Sequence, residues 1–170
     1  MIPQVKKVLY ATDLSKNSSY AFLYAVDMAR RHSAKIVILH SVEPGHPISY
    51  AGARVETLIR AAKKEEQEKV FEEIKKGLHD FCGRMEAQIG VPCVELVSKI
   101  VVPMGHPVEE ILKTADEEGC DVIVLGTHGK GFLKQTFLGS VAGSVLERTR
   151  KPVFIIPLPS ETAGIDWAKI

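Results

Sequence analysis

Three cysteines, Cys82, Cys93 and Cys120, are all that this chain has, an odd count with no C-x-x-C pair. That argues against a disulfide framework and against a thiolate metal site, and leaves buried, reduced thiols as the expectation. A surplus of one charge is also missing: 22 Lys and Arg oppose 21 Asp and Glu, for a net charge of +1. Duplex-binding surfaces need a basic excess, so nucleic acid is not an expected partner. No apolar run approaches the ~20 residues of a membrane helix. Met1 to Lys7 leads straight into a strand-like segment with no apolar signal core. Repeats and low-complexity stretches are absent. What is left is one soluble, cytoplasmic domain without membrane association, an ordinary size for 170 residues.

The apolar pattern then alternates between two kinds of segment. Val5 to Thr12, Lys35 to Val42, part of Val91 to Val102, Asp121 to Gly126 and Val153 to Ile156 are short and apolar on consecutive positions. Such continuity suits strands covered on both faces. Between them lie helical patterns. Ser15 to His32, with Ser15 as N-cap, places Ala21, Phe22, Ala25, Met28, Ala29 and His32 on one stripe. From about Ala53 to Ile89, Phe71, Ile74, Leu78, Phe81, Met85 and Ile89 step by three or four, with Gly77 a potential kink. The charged run Lys63 to Lys69 within this segment reads as a solvated face. Pro107 to Glu118 carries Pro at the first helical position, acids in the first turn and Gly119 beyond the end. Gly139 to Thr149 directs Val141, Val145 and Leu146 inward. Strand and helix alternating throughout predict an α/β fold, a parallel sheet with helices on both faces. Residues 158–170, with Trp167, lack periodicity and read as a C-terminal tail after a domain spanning 1–157.

The chemistry concentrates where the fourth strand meets the fourth helix. Gly126-Thr127-His128-Gly129-Lys130-Gly131 leaves the strand, and Gly139-Ser140 opens the helix. Ligands of open parallel sheets bind beyond the strand ends. A helix start offers unpaired amides and partial positive charge to an anion. Without a Cβ at Gly139, phosphate oxygens reach the backbone, and the Ser140 and Val141 amides and the Ser140 hydroxyl can donate to them. The bland reading stands beside this one: glycines that only shape a long connection before a capped helix. No G-x-x-x-x-G-K-[ST] occurs and no G-x-G-x-x-G follows the first strand, so neither motif describes this site.

Gly126, Gly129, Gly139 and Ser140 fall at G-x2-G-x9-G-[ST], and there the chain resembles the universal stress protein family in its ATP-binding branch. Ala11-Thr12-Asp13, Leu39-His40-Ser41-Val42, Gly105-His106-Pro107 and Lys151-Pro152-Val153 extend the resemblance over residues 1 to about 157. It implies a three-layer, Rossmann-like, adenine nucleotide alpha hydrolase-like fold with strand order 3-2-1-4-5. It also implies ATP, or AMP or ADP, as cofactor, together with Mg2+. By the same resemblance Ala11, Thr12 and Leu14 line the adenine, and Asp13 meets ribose hydroxyls or the metal. The backbone at Ser41 and Val42 meets the adenine edge, and Gly105 leaves room beside the ribose. Gly126, His128, Gly129, Gly139, Ser140, Val141 and Ala142 surround the phosphates. Ser41 and Ala142 depart from the branched and hydroxyl residues frequent in ATP-binding relatives, which implies weaker binding.

No nucleophile–base pair is visible, so a dedicated catalytic site is not indicated. The function expected is a nucleotide-dependent regulatory or sensor protein in the stress response. It would act on a protein partner as a homodimer joined through Val153 to Ile156. A nucleotide-free adaptor of the same fold, or a slow ATPase with Asp13 as metal ligand, are the alternatives. His40, His106 and His128 fit no ligand spacing for a transition metal, and Lys130 stands either at the terminal phosphate or in solvent. Asp13 could instead cap the turn after the first strand.

Overall fold

Side chains alternate across a strand, so the sequence of each strand divides itself between two faces. The computed structural model describes residues 1–44, 49–50, 53–54, 64–127 and 138–157. Within it, β1 (Lys7–Ala11) sends Val8 and Tyr10 to one side and Leu9 and Ala11 to the other. β2 (Lys35–Leu39) does the same with Ile36 and Ile38 against Val37 and Leu39. After the short antiparallel pair β3 (Ser49–Tyr50) and β4 (Ala53–Arg54), the sheet resumes at β5 (Val97–Val101) and β6 (Val122–Gly126) and ends at β7 (Val153–Ile156). β6 divides Val122 and Val124 from Ile123 and Leu125.

Each face is closed by a pair of helices. On one, α1 (Lys16–His32) and α2 (Lys64–Ile89) bring Phe22, Ala25, Ile74, Leu78 and Phe81 onto the strands. The rings of Tyr10, Phe22 and Phe81 stack in sequence, with centroids 5.1 and 5.2 Å apart. Burying side chains of this size contributes roughly 2–3 kcal/mol each. On the other face, α3 (Pro107–Glu117) and α4 (Ser140–Arg148) supply Val108, Ile111, Ala115, Ala142 and Val145. The five large strands are all parallel, in the order β5-β2-β1-β6-β7. In sheet numbering that is the 3-2-1-4-5 arrangement expected.

The helix ends follow local chemistry. Ser15 caps α1, its hydroxyl accepting from the Ser18 amide at 3.3 Å. Ser33 closes the helix at φ 53°, its amide donating to the Ala29 and Arg30 carbonyls. Pro107 stands in the first turn of α3, with Glu109 and Glu110 beside it, and Gly119 turns the chain beyond at φ 61°.

Several expectations need correction. β2 ends at Leu39, and Val42 forms only a single parallel bridge with Met104. Beyond Leu39 the pairing continues as separate backbone bonds, His40 to the Val101 carbonyl at 3.0 Å and Val42 to the Pro103 carbonyl at 2.8 Å. Ala53 and Arg54 are extended, not helical, paired with Tyr50 and Ser49. α2 runs through Gly77 unbroken, its stripe of Ile74, Leu78, Phe81 and Met85 fixing a single axis. The third strand does lie within Val91 to Val102, at Val97–Val101, and Glu86 holds the residues before it in a 3-10 turn. His32 is exposed at the end of α1, and Leu146 is 52% exposed, one position past the buried Val145. The expected tail, residues 158–170, and most of the stretch after Glu43 lie outside the described residues.

All three thiols are buried. Burial pushes Cys82 up to about 12 and Cys93 and Cys120 up to about 11, the state of inert, protonated core cysteines.

Glu86 leaves the surface of α2 to accept from the Val94 and Cys93 amides, at 3.0 and 2.8 Å. These two backbone donors hold its carboxyl below the ordinary range. A carboxylate depressed by folding stabilises the native state above its unfolded value, about pH 4.3, and ceases to do so as pH falls through its folded value. Glu86→Gln is therefore expected to lower the urea midpoint at pH 7 and to converge on the wild type by pH 3. An equal deficit at both pH values would refute the assignment.

Candidate functional site

The chain runs outward from β1 to β2 to β5, then crosses back to β6 on the other side of β1. Loops leaving β1 and β6 therefore part in opposite directions, opening a crevice at the carboxyl edge of the sheet.

The β1 side of this crevice is tied together by hydrogen bonds. Beyond Ala11 the Thr12 amide donates to the Leu39 carbonyl at 2.9 Å, extending the β1–β2 ladder by one bond. The Thr12 hydroxyl accepts from the Leu14 amide at 3.0 Å and shares a 2.8 Å bond with the Ser18 hydroxyl. The Thr12 carbonyl accepts from His40 at 2.8 Å, which places the ring proton on Nδ1. Leu14 adopts φ 65°, an uncommon conformation for a branched residue, and these bonds hold it there. Its side chain drops into the core with Tyr10 and Phe22. Asp13 stays half-buried, its Oδ1 accepting from the Ser15 amide at 3.0 Å. The turn-capping reading of Asp13 is thus observed.

Beside this stands a second clasp. The Val42 amide donates to the Pro103 carbonyl at 2.8 Å and the Gly105 amide to the Val42 carbonyl at 3.0 Å. The Ser41 hydroxyl donates to the Gly105 carbonyl at 2.6 Å. The departure at Ser41 thus has a structural role: it ties the ends of β2 and β5 together above the sheet. At the outer end His106 Nε2 lies 3.7 Å from Glu43. His106 is exposed and His40 is engaged with Thr12, so the two histidines serve different tasks. Among the described residues no group of three His, Cys, Asp or Glu could hold a metal.

On the β6 side, the Thr127 amide continues the ladder to Ile156 at 3.0 Å, and the Gly139 amide returns to the Thr127 carbonyl at 2.7 Å. That bond brings the start of α4 to the end of β6. Gly126 packs on Asn17 of α1, whose amide nitrogen a Cβ would meet at 3.2 Å. Gly139 has φ −60° and ψ 156°, angles open to any residue. The backbone does not require glycine there. Ser140 is exposed and Val141 half-buried, whereas Ala142 points into the core and offers only its amide. The amides of the first turn have no intrahelical acceptor. His128, Gly129 and Lys130 lie outside the described residues.

Comparison with known proteins decides the family. The universal stress protein family model matches residues 4–157. The chain belongs to the universal stress protein family. Among universal stress proteins, MJ0577 of Methanocaldococcus jannaschii is 28% identical over 158 residues, covering 89% of this chain and 94% of the relative. Its solved structure aligns at a TM-score of 0.67 and 27% identity, covering 94% of this chain and all of that one. A universal stress protein in complex with cAMP has the same fold at TM-score 0.58 and 20% identity, covering 91% of this chain and 98% of that one. So has a universal stress protein from Archaeoglobus fulgidus in complex with dAMP, at 0.56 and 21%, covering 92% and 99%.

Reading the sequence alone misses the supports of this site. Spacing presents His40 only as one of three widely separated histidines, whereas the structure makes it the donor to Thr12. Ser18 and Asn17 lie on α1, whose apolar stripe gives no sign of their role. A run of hydroxyls at Ser15, Ser18 and Ser19 was the available signal, because short polar side chains at a helix start bond to nearby backbone.

Thr12→Val keeps the shape and deletes the hydroxyl, leaving the buried Leu14 amide without its acceptor. A loss of about 1–3 kcal/mol in urea unfolding is expected. A change under a few tenths would remove Thr12 from its central place.

Proposed function

We propose that this universal stress protein binds an adenine nucleotide, ATP first and AMP or ADP otherwise, across the carboxyl edge of its sheet. Occupancy regulates a partner protein in the stress response. The observation that carries the reading is Gly139: a glycine at the start of α4 where the backbone angles suit any residue. Its own amide is turned back to Thr127, so the following amides of Ser140, Val141 and Ala142 are left to an anion. Gly126, His128 and Gly129 complete the phosphate side. Ala11 and the backbone of Thr12, Leu14, Ser41 and Val42 hold the base, with Gly105 beside the ribose. Asp13 meets the ribose or Mg2+, and when bound the metal supplies charge neutralisation at the phosphates. The related folds solved with cAMP and dAMP support adenine as the base.

Two further elements belong to this reading. β7 is an edge strand with Phe154 48% exposed, and pairing with a second copy across a two-fold axis would cover both edges. Buried, reduced thiols suit a cytoplasmic location.

The decisive experiment is to denature freshly purified protein and identify the released nucleotide by mass. Wild type is expected to release an adenine nucleotide and Gly139→Val almost none; equal contents, or none from either after incubation with ATP and Mg2+, would overturn the reading. For assembly, Phe154→Arg is expected to convert a dimer to a monomer in sedimentation velocity. A wild type that is already monomeric would refute the pairing.

A further inference from the structure

Glu110 is one of two acids in the first turn of α3, and its carboxylate has a setting that helix-end electrostatics does not require. It is half-buried in the first turn of α3, yet no described residue pairs with its carboxylate. Instead it leans back over Gly105: a Cβ there would meet Glu110 Oε1 at 2.5 Å and its Cγ at 3.0 Å. Gly105 is itself pinned, its amide to the Val42 carbonyl at 3.0 Å and its carbonyl by the Ser41 hydroxyl at 2.6 Å. A bare glycine, fixed from two sides, therefore makes room for a carboxylate at the wall of the crevice. Neighbouring Glu109 is spent elsewhere, in a two-pronged pair with Arg148 at 2.6 and 3.1 Å.

A carboxylate accepts hydrogen bonds and donates none. Beside a polyphosphate it would be repelled, so its partner is an uncharged donor of the ligand. Resting on the nucleotide reading above, in which Gly105 flanks the sugar, we infer that Glu110 is a specificity-determining residue that accepts from a ribose hydroxyl. Ser41 and Gly105 act as its positioning residues. Two vicinal hydroxyls are the feature that separates a ribonucleotide from its deoxy counterparts, and a charged acceptor is the group that reads them most strongly.

Calorimetric titration with Mg2+ and ATP, 2′-deoxyATP or 3′-deoxyATP tests this. Wild type is expected to bind ATP about tenfold or more tightly than at least one deoxy analogue, the worth of one hydrogen bond to a charged group. Glu110→Ala should lose that difference while keeping its affinity for the disfavoured analogue. Glu110→Gln should retain part of the difference through its amide oxygen. Wild type binding all three alike, or Glu110→Ala weakening all three equally, overturns the inference and leaves the nucleotide reading standing. Wild type binding none of them overturns both.

Discussion

Thr12 is the residue on which the rest of the crevice depends. Its amide extends the ladder to Leu39, its carbonyl receives His40, and its hydroxyl joins the Leu14 amide to Ser18. Tyr10, two residues earlier, donates to the Ser18 carbonyl at 2.6 Å, so the aromatic core and the loop above it share one anchor. Burial raises the Tyr10 hydroxyl well above its ordinary range, keeping it a donor. A polar network this enclosed is valuable only when each member has its partner. Here the uncommon backbone of Leu14 is the element that the network holds in place.

The layering has a simpler cause. Three central strands alternate so regularly that each contributes two residues to either face. A shift of one residue in any of them would exchange those sets. The parallel registers of β1 with β2 and β6 hold the tops of these strands level. The crevice inherits its shape from that alignment, since Thr12, Ser41 and Thr127 all leave from the same edge.

Much of this was legible in the residues themselves. Continuous apolar strands announced a sheet covered on both sides, and the cap at Ser15, Pro107 in its first turn and Gly119 beyond marked helix ends where they stand. The family was legible too, in the spacing of Gly126, Gly129, Gly139 and Ser140. What escaped had physical reasons. Leu146 satisfies the helical period, but α4 is short and its buried stripe holds only Ala142 and Val145. Ala53 and Arg54 suit a helix by propensity, yet pairing with Ser49 and Tyr50 prevails. The clasp formed by Ser41, Val42 and Gly105 joins positions 64 apart in sequence, and no local pattern reports such a contact.

The bond from Gly139 to Thr127 has a consequence for how such a protein can diversify. It seats α4 directly on the end of β6, a junction made by the two elements' own backbone. Substitutions at positions 131–138 can therefore accumulate while β6 and α4 keep their places relative to one another.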